Sequence, residues 1–222
     1  MRAFNIVNNQ EFAHLFLIFF LSVAIVSCKS TPIKIACVGD SITEGHGLAV
    51  QSRTAYPVVL DSLLGEEYDA LNLGRSATTL QKKGDFPYWI AKEFSSVFTF
   101  HPDIIVIKLG TNDTKPYNWN AENFTNDYQA LIDTFLTISP KPTIFLCYPA
   151  PVFRSNWGIN DSTVVHGVIP AISSIAEANN LQIIDLYKGL IDQSVNFPDG
   201  IHPNEEAARA LALLVAGAIT GK

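Results

Sequence analysis

The chain has 222 residues and a formal net charge of −6, and a chain of this length can bury the core of one domain. It contains no run or stripe of basic residues, so the composition argues against nucleic acid as a partner. Its five histidines and three cysteines show no metal-ligand spacing, and the sequence therefore predicts neither a metal site nor a cofactor.

The first 27 residues predict a secretory signal of the lipoprotein type, outside the folded domain. Arg2 provides a positive charge, and an apolar core from Leu15 to Val26 is too short to span a bilayer comfortably. The residues that lead from the end of this core into Cys28 resemble a bacterial lipobox, in which the cysteine is acylated. An ordinary signal peptide or an uncleaved anchor is the alternative. We therefore expect export, lipidation at Cys28, a short tether over 28–32 and attachment to a bacterial membrane, periplasmic or at the cell surface, through lipid alone.

From residue 33 onwards, apolar runs alternate with amphipathic stretches. The apolar runs predict strands at 33–38, 68–73, 103–109, 143–147 and 181–186, and the amphipathic stretches predict helices at 55–64, 89–98, 122–138, 164–178 and 205–219. Continuous apolar strands that are separated by crossover helices indicate a parallel sheet covered on both faces. The sequence thus predicts a single α/β domain over residues 33–222.

Two cysteines remain in this domain. Cys37 and Cys147 each lie inside an apolar run that is predicted to be a strand. This placement favours buried free thiols, which behave as small hydrophobic side chains, over a disulfide.

Two short motifs near the ends of the domain provide the side chains of a nucleophilic hydrolase. Ser41 follows the first predicted strand in Gly-Asp-Ser, and Asp199 precedes His202 by three residues in Asp-Gly-Ile-His. A serine hydroxyl is a weak nucleophile that needs a base within hydrogen-bond reach and a carboxylate to orient that base. A lone histidine at the start of a helix would more often be a surface or capping residue.

Two further motifs follow the second and third predicted strands. Gly74 lies in Asn-Leu-Gly and Asn112 in Gly-Thr-Asn-Asp, and each by itself could be a simple turn residue. Because the carboxyl ends of parallel strands meet at one edge of a sheet, we expect these residues to lie near Ser41. Asp40 and Asp113 flank the motifs, and we expect them to support the loops.

The four motifs, in this order, resemble those of the SGNH hydrolases, also called GDSL-type esterases. The resemblance implies a three-layer α/β/α sandwich of the flavodoxin-like type with a five-stranded parallel sheet. It implies a catalytic triad of Ser41, His202 and Asp199. It also implies an oxyanion hole formed by the backbone amides of Ser41 and Gly74 and the side chain of Asn112.

The substrate is less constrained by the sequence. Side chains suited to bind a sugar occur in loops expected at the same edge, namely Trp89, Trp119, Arg154 and Trp157. They could equally anchor these loops. No long apolar insertion, of the kind that covers a lipase acyl pocket, separates the motifs. With the resemblance, this predicts a serine esterase that removes acetyl groups from carbohydrate. The alternatives are a lipase, lysophospholipase or thioesterase for longer acyl chains, and a non-catalytic carbohydrate-binding protein.

Overall fold

The computed structural model describes residues 31–221. Its centre is a five-stranded sheet of β1 (Ile33–Gly39), β2 (Tyr68–Gly74), β3 (Ile104–Lys108), β4 (Thr143–Cys147) and β5 (Gln182–Ile184). Neighbouring strands pair in parallel in the order β2-β1-β3-β4-β5. The five predicted strands and the parallel sheet are confirmed. The predicted signal 1–27, Cys28 and most of the tether lie outside the described residues.

Helices connect the strands and cover both faces of the sheet. In chain order they are α1 (Ser41–Glu44), α2 (Gln51–Thr54), α3 (Tyr56–Leu64), α4 (Lys92–Phe100), α5 (Ala121–Phe135), α6 (Asp161–Thr163), α7 (Ile169–Asn179), α8 (Leu186–Leu190) and α9 (Glu205–Thr220). In the described part of the chain, no helix is both long and apolar enough to cross a membrane.

The strands are apolar throughout because both of their faces are buried. In β3, Ile105 and Ile107 pack into a core with residues of α4, α5 and α7. Val106 points to the opposite face, where it packs with residues of α3 and α9. Alternate side chains of one strand thus enter two separate cores. The result is the three-layer α/β/α sandwich that the sequence predicts.

Several element boundaries differ from the prediction, two of them for clear local reasons. The fifth strand ends at Ile184, because the side chain of Asp185 accepts a hydrogen bond from the Lys188 amide and caps α8. The helix predicted at 164–178 begins with a π-helical turn at Val164–Val168 before α7 continues it. The short helix α8 itself was not predicted.

Cys37 and Cys147 are buried free cysteines, as predicted. They lie in β1 and β4 on the same face of the sheet. Burial raises the pKa of the Cys37 thiol to about 12, and it raises that of Cys147 as well. Both thiols therefore stay protonated at neutral pH and act as packing residues.

Candidate active site

The candidate site lies at the carboxyl edge of the sheet, where β1, β2 and β3 end beside one another. Ser41 follows β1 by two residues and is the first residue of α1. The side chain of Asp40 caps this helix by accepting a hydrogen bond of 3.0 Å from the amide of Ile42. This cap fixes the backbone on either side of Ser41.

Ser41, His202 and Asp199 form a continuous chain of hydrogen-bond contacts. The Ser41 Oγ lies 2.9 Å from His202 Nε2, and His202 Nδ1 lies 2.6 Å from Asp199 Oδ2. The other carboxylate oxygen of Asp199 accepts the backbone amides of Ile201 and His202, at 2.8 and 2.7 Å. The structure thus brings together the three residues that were predicted to be catalytic.

The electrostatics of Asp199 suit an orienting carboxylate. Partial burial would raise its pKa, but hydrogen bonds from the backbone and ring of His202 and from the Ile201 amide outweigh this effect and hold the pKa below its ordinary value. The carboxylate is therefore ionised at neutral pH. It can fix the imidazole tautomer and stabilise an imidazolium.

These side chains open into a cavity of about 270 Å³. It is lined by Ser41, His46, Ser76, Ala77, Asn112, Lys115, Trp157, Ile159 and His202. The ring centroids of His46 and Trp157 lie 4.6 and 5.8 Å from that of His202. Trp157, predicted as a substrate contact, is 56% exposed beside the base. His46 was not predicted, because an isolated histidine in a loop gives no signal of its own.

The other three predicted substrate contacts do not line this cavity. The indole N–H of Trp89 donates to the backbone carbonyl of Leu80 at 2.8 Å. Trp119 packs against the core beside α5. Arg154 donates to the carbonyl of Pro198 at 3.0 Å. These contacts correct the prediction, since the three side chains anchor loops around the site.

The structure also corrects the role predicted for Gly74. Its amide donates to the side-chain oxygen of Asn72 at 3.0 Å, so this N–H does not face the cavity. A Cβ at position 74 would lie only 2.2 Å from the backbone nitrogen of Glu44. Glycine is required here because the backbone of α1 passes directly over the end of β2.

Ala77, in the loop that follows β2, lines the cavity instead. Its φ is +67°, in the left-handed region, which costs a residue with a Cβ about 1–2 kcal/mol. Within residues 31–221 the Ala77 amide has no hydrogen-bond partner. It is thus the amide of this loop that is available to a ligand. Ala77 could not be predicted from the sequence, because alanine seldom adopts this conformation.

Asn112 lies beside Ala77 on the same wall. It is almost fully buried, and its side-chain nitrogen donates to the carbonyl of Thr78 at 3.1 Å. A primary amide has a second N–H, which remains for a group in the cavity. The side chain of Asn118 holds the Asn112 backbone by donating to its carbonyl at 3.1 Å.

Behind the nucleophile, Asp40 forms a buried ion pair with Lys108. The Lys108 Nζ lies 2.9 and 3.1 Å from the two carboxylate oxygens and also donates to the hydroxyl of Thr111 at 3.1 Å. Both charged side chains are at most 1% exposed. Asp40 thus joins the end of β1 to the end of β3, which agrees with the supporting role expected for it. Lys108 was not predicted.

Asp113 anchors the loop that follows Ala77. Its carboxylate accepts the backbone amides of Leu80 and Gln81, each at 2.9 Å. Burial raises the pKa of this fully buried carboxyl to about 6, although these hydrogen bonds oppose the shift.

In the described part of the chain, no group of three or more His, Cys, Asp or Glu side chains is placed so that it could hold a metal ion.

Comparison with known sequences places the chain in a family. The model of the GDSL-like lipase/acylhydrolase family matches residues 37–210. The chain is also 37% identical over 210 residues to an acetylxylan esterase from Xylanibacter ruminicola, and the match covers 86% of this chain and 44% of that protein. A multidomain esterase from Ruminococcus flavefaciens is 28% identical over 109 residues, which cover 47% of this chain and 14% of that protein. The chain thus spans less than half the length of these two relatives.

Solved structures show the same fold at lower sequence identity. The aryl esterase of M. smegmatis has a TM-score of 0.72 at 21% identity, and the match covers 85% of this chain and 98% of that one. The carbohydrate acetylesterase Est24 from Sinorhizobium meliloti has a TM-score of 0.70 at 19% identity, with the same coverage. Since the family model spans most of the chain, from β1 into α9, the chain belongs to the GDSL-like lipase/acylhydrolase family.

Proposed function

We propose that this protein is a serine esterase that removes acetyl groups from carbohydrate through an acyl-enzyme. The observation that supports this most directly is the contact chain from Ser41 through His202 to Asp199 on the wall of a small cavity. The family supports ester hydrolysis, and the name of the Xylanibacter ruminicola relative supports an acetylated polysaccharide as substrate.

In the first half of the proposed reaction, Ser41 Oγ attacks the carbonyl carbon of the ester. His202 Nε2 takes the hydroxyl proton, the new Oγ–C bond forms, and the carbonyl electron pair moves to its oxygen. Asp199 holds the ring and stabilises the imidazolium that results. When the tetrahedral intermediate collapses, the C–O bond to the sugar breaks and His202 gives the proton to the leaving alcohol.

The tetrahedral oxyanion requires fixed donors. We assign this role to the backbone amides of Ser41 and Ala77 and to the second side-chain N–H of Asn112, because all three residues line the cavity. Loss of one such donor typically lowers the rate by about 10²–10³. In the second half of the reaction, His202 deprotonates a water molecule that attacks the acetyl carbonyl carbon. The bond from that carbon to Ser41 Oγ then breaks, His202 returns the proton to Oγ, and acetate is released.

The geometry also favours a sugar as the leaving group. Because His202 returns its proton to the leaving alcohol, the alcohol part of the ester must lie on the His202 side of the cavity. That side holds the rings of His46 and Trp157. The indole of Trp157 is exposed beside His202 and can pack against the apolar face of a sugar ring, and this position supports the predicted role of Trp157.

One observation favours the alternative, a lipase, lysophospholipase or thioesterase for longer acyl chains. A second cavity of about 260 Å³ shares Ser76 and Ala77 with the first. It is lined largely by apolar side chains, among them Phe86, which is 58% exposed, and Ile90, which is 84% exposed. If the acyl chain enters this cavity, each buried methylene adds about 0.8 kcal/mol of binding free energy.

The experiment that separates the two functions compares acyl chains of different length. We expect a higher kcat/KM for p-nitrophenyl acetate than for the octanoate ester, and release of acetate from acetylated xylan. The Ser41→Ala variant should lose both activities and also its labelling by a fluorophosphonate probe. A steady rise in kcat/KM from acetate to octanoate, without acetate release from any glycan, would assign the protein to the longer-chain alternative. Absence of all esterase activity and labelling in the wild type would favour the alternative of a non-catalytic carbohydrate-binding protein.

We further infer that the protein is exported and attached to a bacterial membrane through lipid on Cys28. The support is the sequence alone, which places this cysteine where a short apolar core ends. An exported esterase would meet polysaccharides outside the cytoplasm. This agrees with a carbohydrate substrate.

A further inference from the structure

We propose that Glu44 is a positioning residue that holds the loop 75–78, so that the Ala77 amide faces the cavity. This inference rests on the proposed esterase function. It extends that function to Glu44, an acidic residue in the first turn of α1.

The contacts of the Glu44 carboxylate support this role. Its Oε2 accepts a hydrogen bond of 2.9 Å from the backbone amide of Ser76, and it also accepts the Ser76 hydroxyl. Ser76 directly precedes Ala77, so the carboxylate fixes the peptide unit next to the one whose N–H we assign to the oxyanion. On the other side of Ala77, the hydroxyl of Thr78 donates to the Arg75 carbonyl at 2.7 Å and closes the turn.

The left-handed conformation of Ala77 explains why such a contact is needed. A residue with a Cβ avoids this conformation unless the surrounding structure enforces it. If Ser76 were released, Ala77 could relax to a negative φ, and its N–H would turn away from the cavity. The bond from Ser76 to Glu44 opposes that relaxation.

The backbone around Glu44 is fixed in turn. The side chain of Asn72 donates to the Glu44 carbonyl at 3.4 Å, and Gly74 lets the α1 backbone approach β2 without a clash. Ser41 is the first residue of α1 and Glu44 is the last. One short helix therefore sets the nucleophile and the loop with the Ala77 amide in a defined relation. Glu44 does not line the cavity, so it acts through Ser76 and not on the substrate.

The test measures p-nitrophenyl acetate hydrolysis by Glu44→Ala and Glu44→Gln. We expect Glu44→Ala to lower kcat by about 10- to 100-fold with KM changed by less than about 3-fold, because the loss affects the oxyanion and not ground-state binding. Glu44→Gln keeps an oxygen that accepts the Ser76 amide, so its kcat should stay within about 5-fold of wild type. The pH profile of kcat/KM should be unchanged, since Ser41, His202 and Asp199 remain in place.

Ser76→Ala tests the same contact from the other side. It removes the hydroxyl donor and keeps the amide, and we expect kcat to fall less than in Glu44→Ala, with no further fall when the two changes are combined. Glu122→Ala, an exposed glutamate of α5 outside the site, is the matched control and should retain wild-type kinetics. Thermal unfolding reports whether each variant is folded.

The inference fails if folded Glu44→Ala retains kcat within about 2-fold of wild type, or if its pH profile shifts and so indicates damage to the triad. If Glu44→Ala does not fold, the test uses Glu44→Gln, Ser76→Ala and the combination of the two. Losses of kcat that add up in the combined variant would show that the two residues act independently, and this would refute the inference. A wild-type protein that is neither an esterase nor labelled by fluorophosphonate would instead refute the proposed function, and this inference with it.

Discussion

At the scale of single residues, the geometry of the site depends on carboxylates that never touch the cavity. Asp40 holds the turn before the nucleophile, and Asp113 holds the loop that follows Ala77. Each accepts backbone amides that would otherwise be buried without a partner. These bonds restrict the loops at the end of the sheet to one conformation, and an oxyanion site needs this, because its donors must be in place before the reaction.

Asp113 should give the protein a characteristic pH dependence of stability. Its pKa is about 6 in the folded protein, against about 3.9 for an unperturbed aspartate. Between these values the folded state binds more protons than the unfolded state, so this contribution to stability falls as the pH rises from about 4 to about 6 and is constant above that. The unfolding free energy of the wild type minus that of Asp113→Asn should therefore decrease as the pH rises from about 4 to about 6.

Urea unfolding at about pH 4, 5, 6 and 7 measures this difference. Asp133→Asn, on the exposed side of α5, is the matched control. A difference between wild type and Asp113→Asn that is flat, or that rises with pH, would contradict the prediction.

At the scale of elements, the ends of three neighbouring strands decide where the site forms. β1 leads into Ser41, β2 into the loop with Ala77, and β3 into Asn112. Gly39 at the end of β1 pairs with Gly74 on one side and Lys108 on the other. The site therefore depends on the register of all three strands, and the ion pair of Asp40 with Lys108 joins two of them.

Breaking this ion pair from one side should be costly. In Lys108→Met, the Asp40 carboxylate stays buried without its partner, and the loss of unfolding free energy should be about 3–5 kcal/mol. The double variant Asp40→Asn, Lys108→Met removes both charges and keeps a side chain that can cap α1. It should recover a large part of that loss.

Urea unfolding of the wild type, Asp40→Asn, Lys108→Met and the double variant completes the double-mutant cycle for this pair. Esterase activity should fall in Lys108→Met as well, because Asp40 adjoins the nucleophile. A double variant as unstable as Lys108→Met alone would show that the cost does not come from the unpaired charge.

At the scale of the whole molecule, the domain over residues 31–221 provides the site, and we propose that the segment before it directs the protein to its place in the cell. The lipid anchor remains a prediction from the sequence. We expect the full-length protein, expressed in a bacterial host, to partition with membranes and to contain lipid on an N-terminal Cys28. Mass spectrometry of the mature N-terminus tests this. Cys28→Ala should block lipidation, whereas an unmodified N-terminus at another residue would refute the anchor and leave the esterase proposal intact.

From the sequence by itself we could predict the sheet, most of its helices and the set of Ser41, His202 and Asp199. The sheet and the helices follow from apolar runs, which are local in the chain, whereas the meeting of Ser41 with His202, 161 positions apart, was implied by the resemblance to the SGNH hydrolases. Only the tertiary structure decided which residues line the cavity. It places Ala77 there, and it places Gly74, Trp89, Trp119 and Arg154 outside the cavity.

The physical reason is that these features depend on contacts between distant parts of the chain. The Ser76 amide meets a carboxylate 32 positions earlier, at Glu44, and Lys108 meets one 68 positions earlier, at Asp40. Neither the left-handed φ of Ala77 nor the complete burial of Lys108 can be predicted from the residues next to it in the sequence. Ser76, next to Ala77, bonds to Glu44 of α1, and Lys108 of β3 bonds to Asp40, the residue before α1.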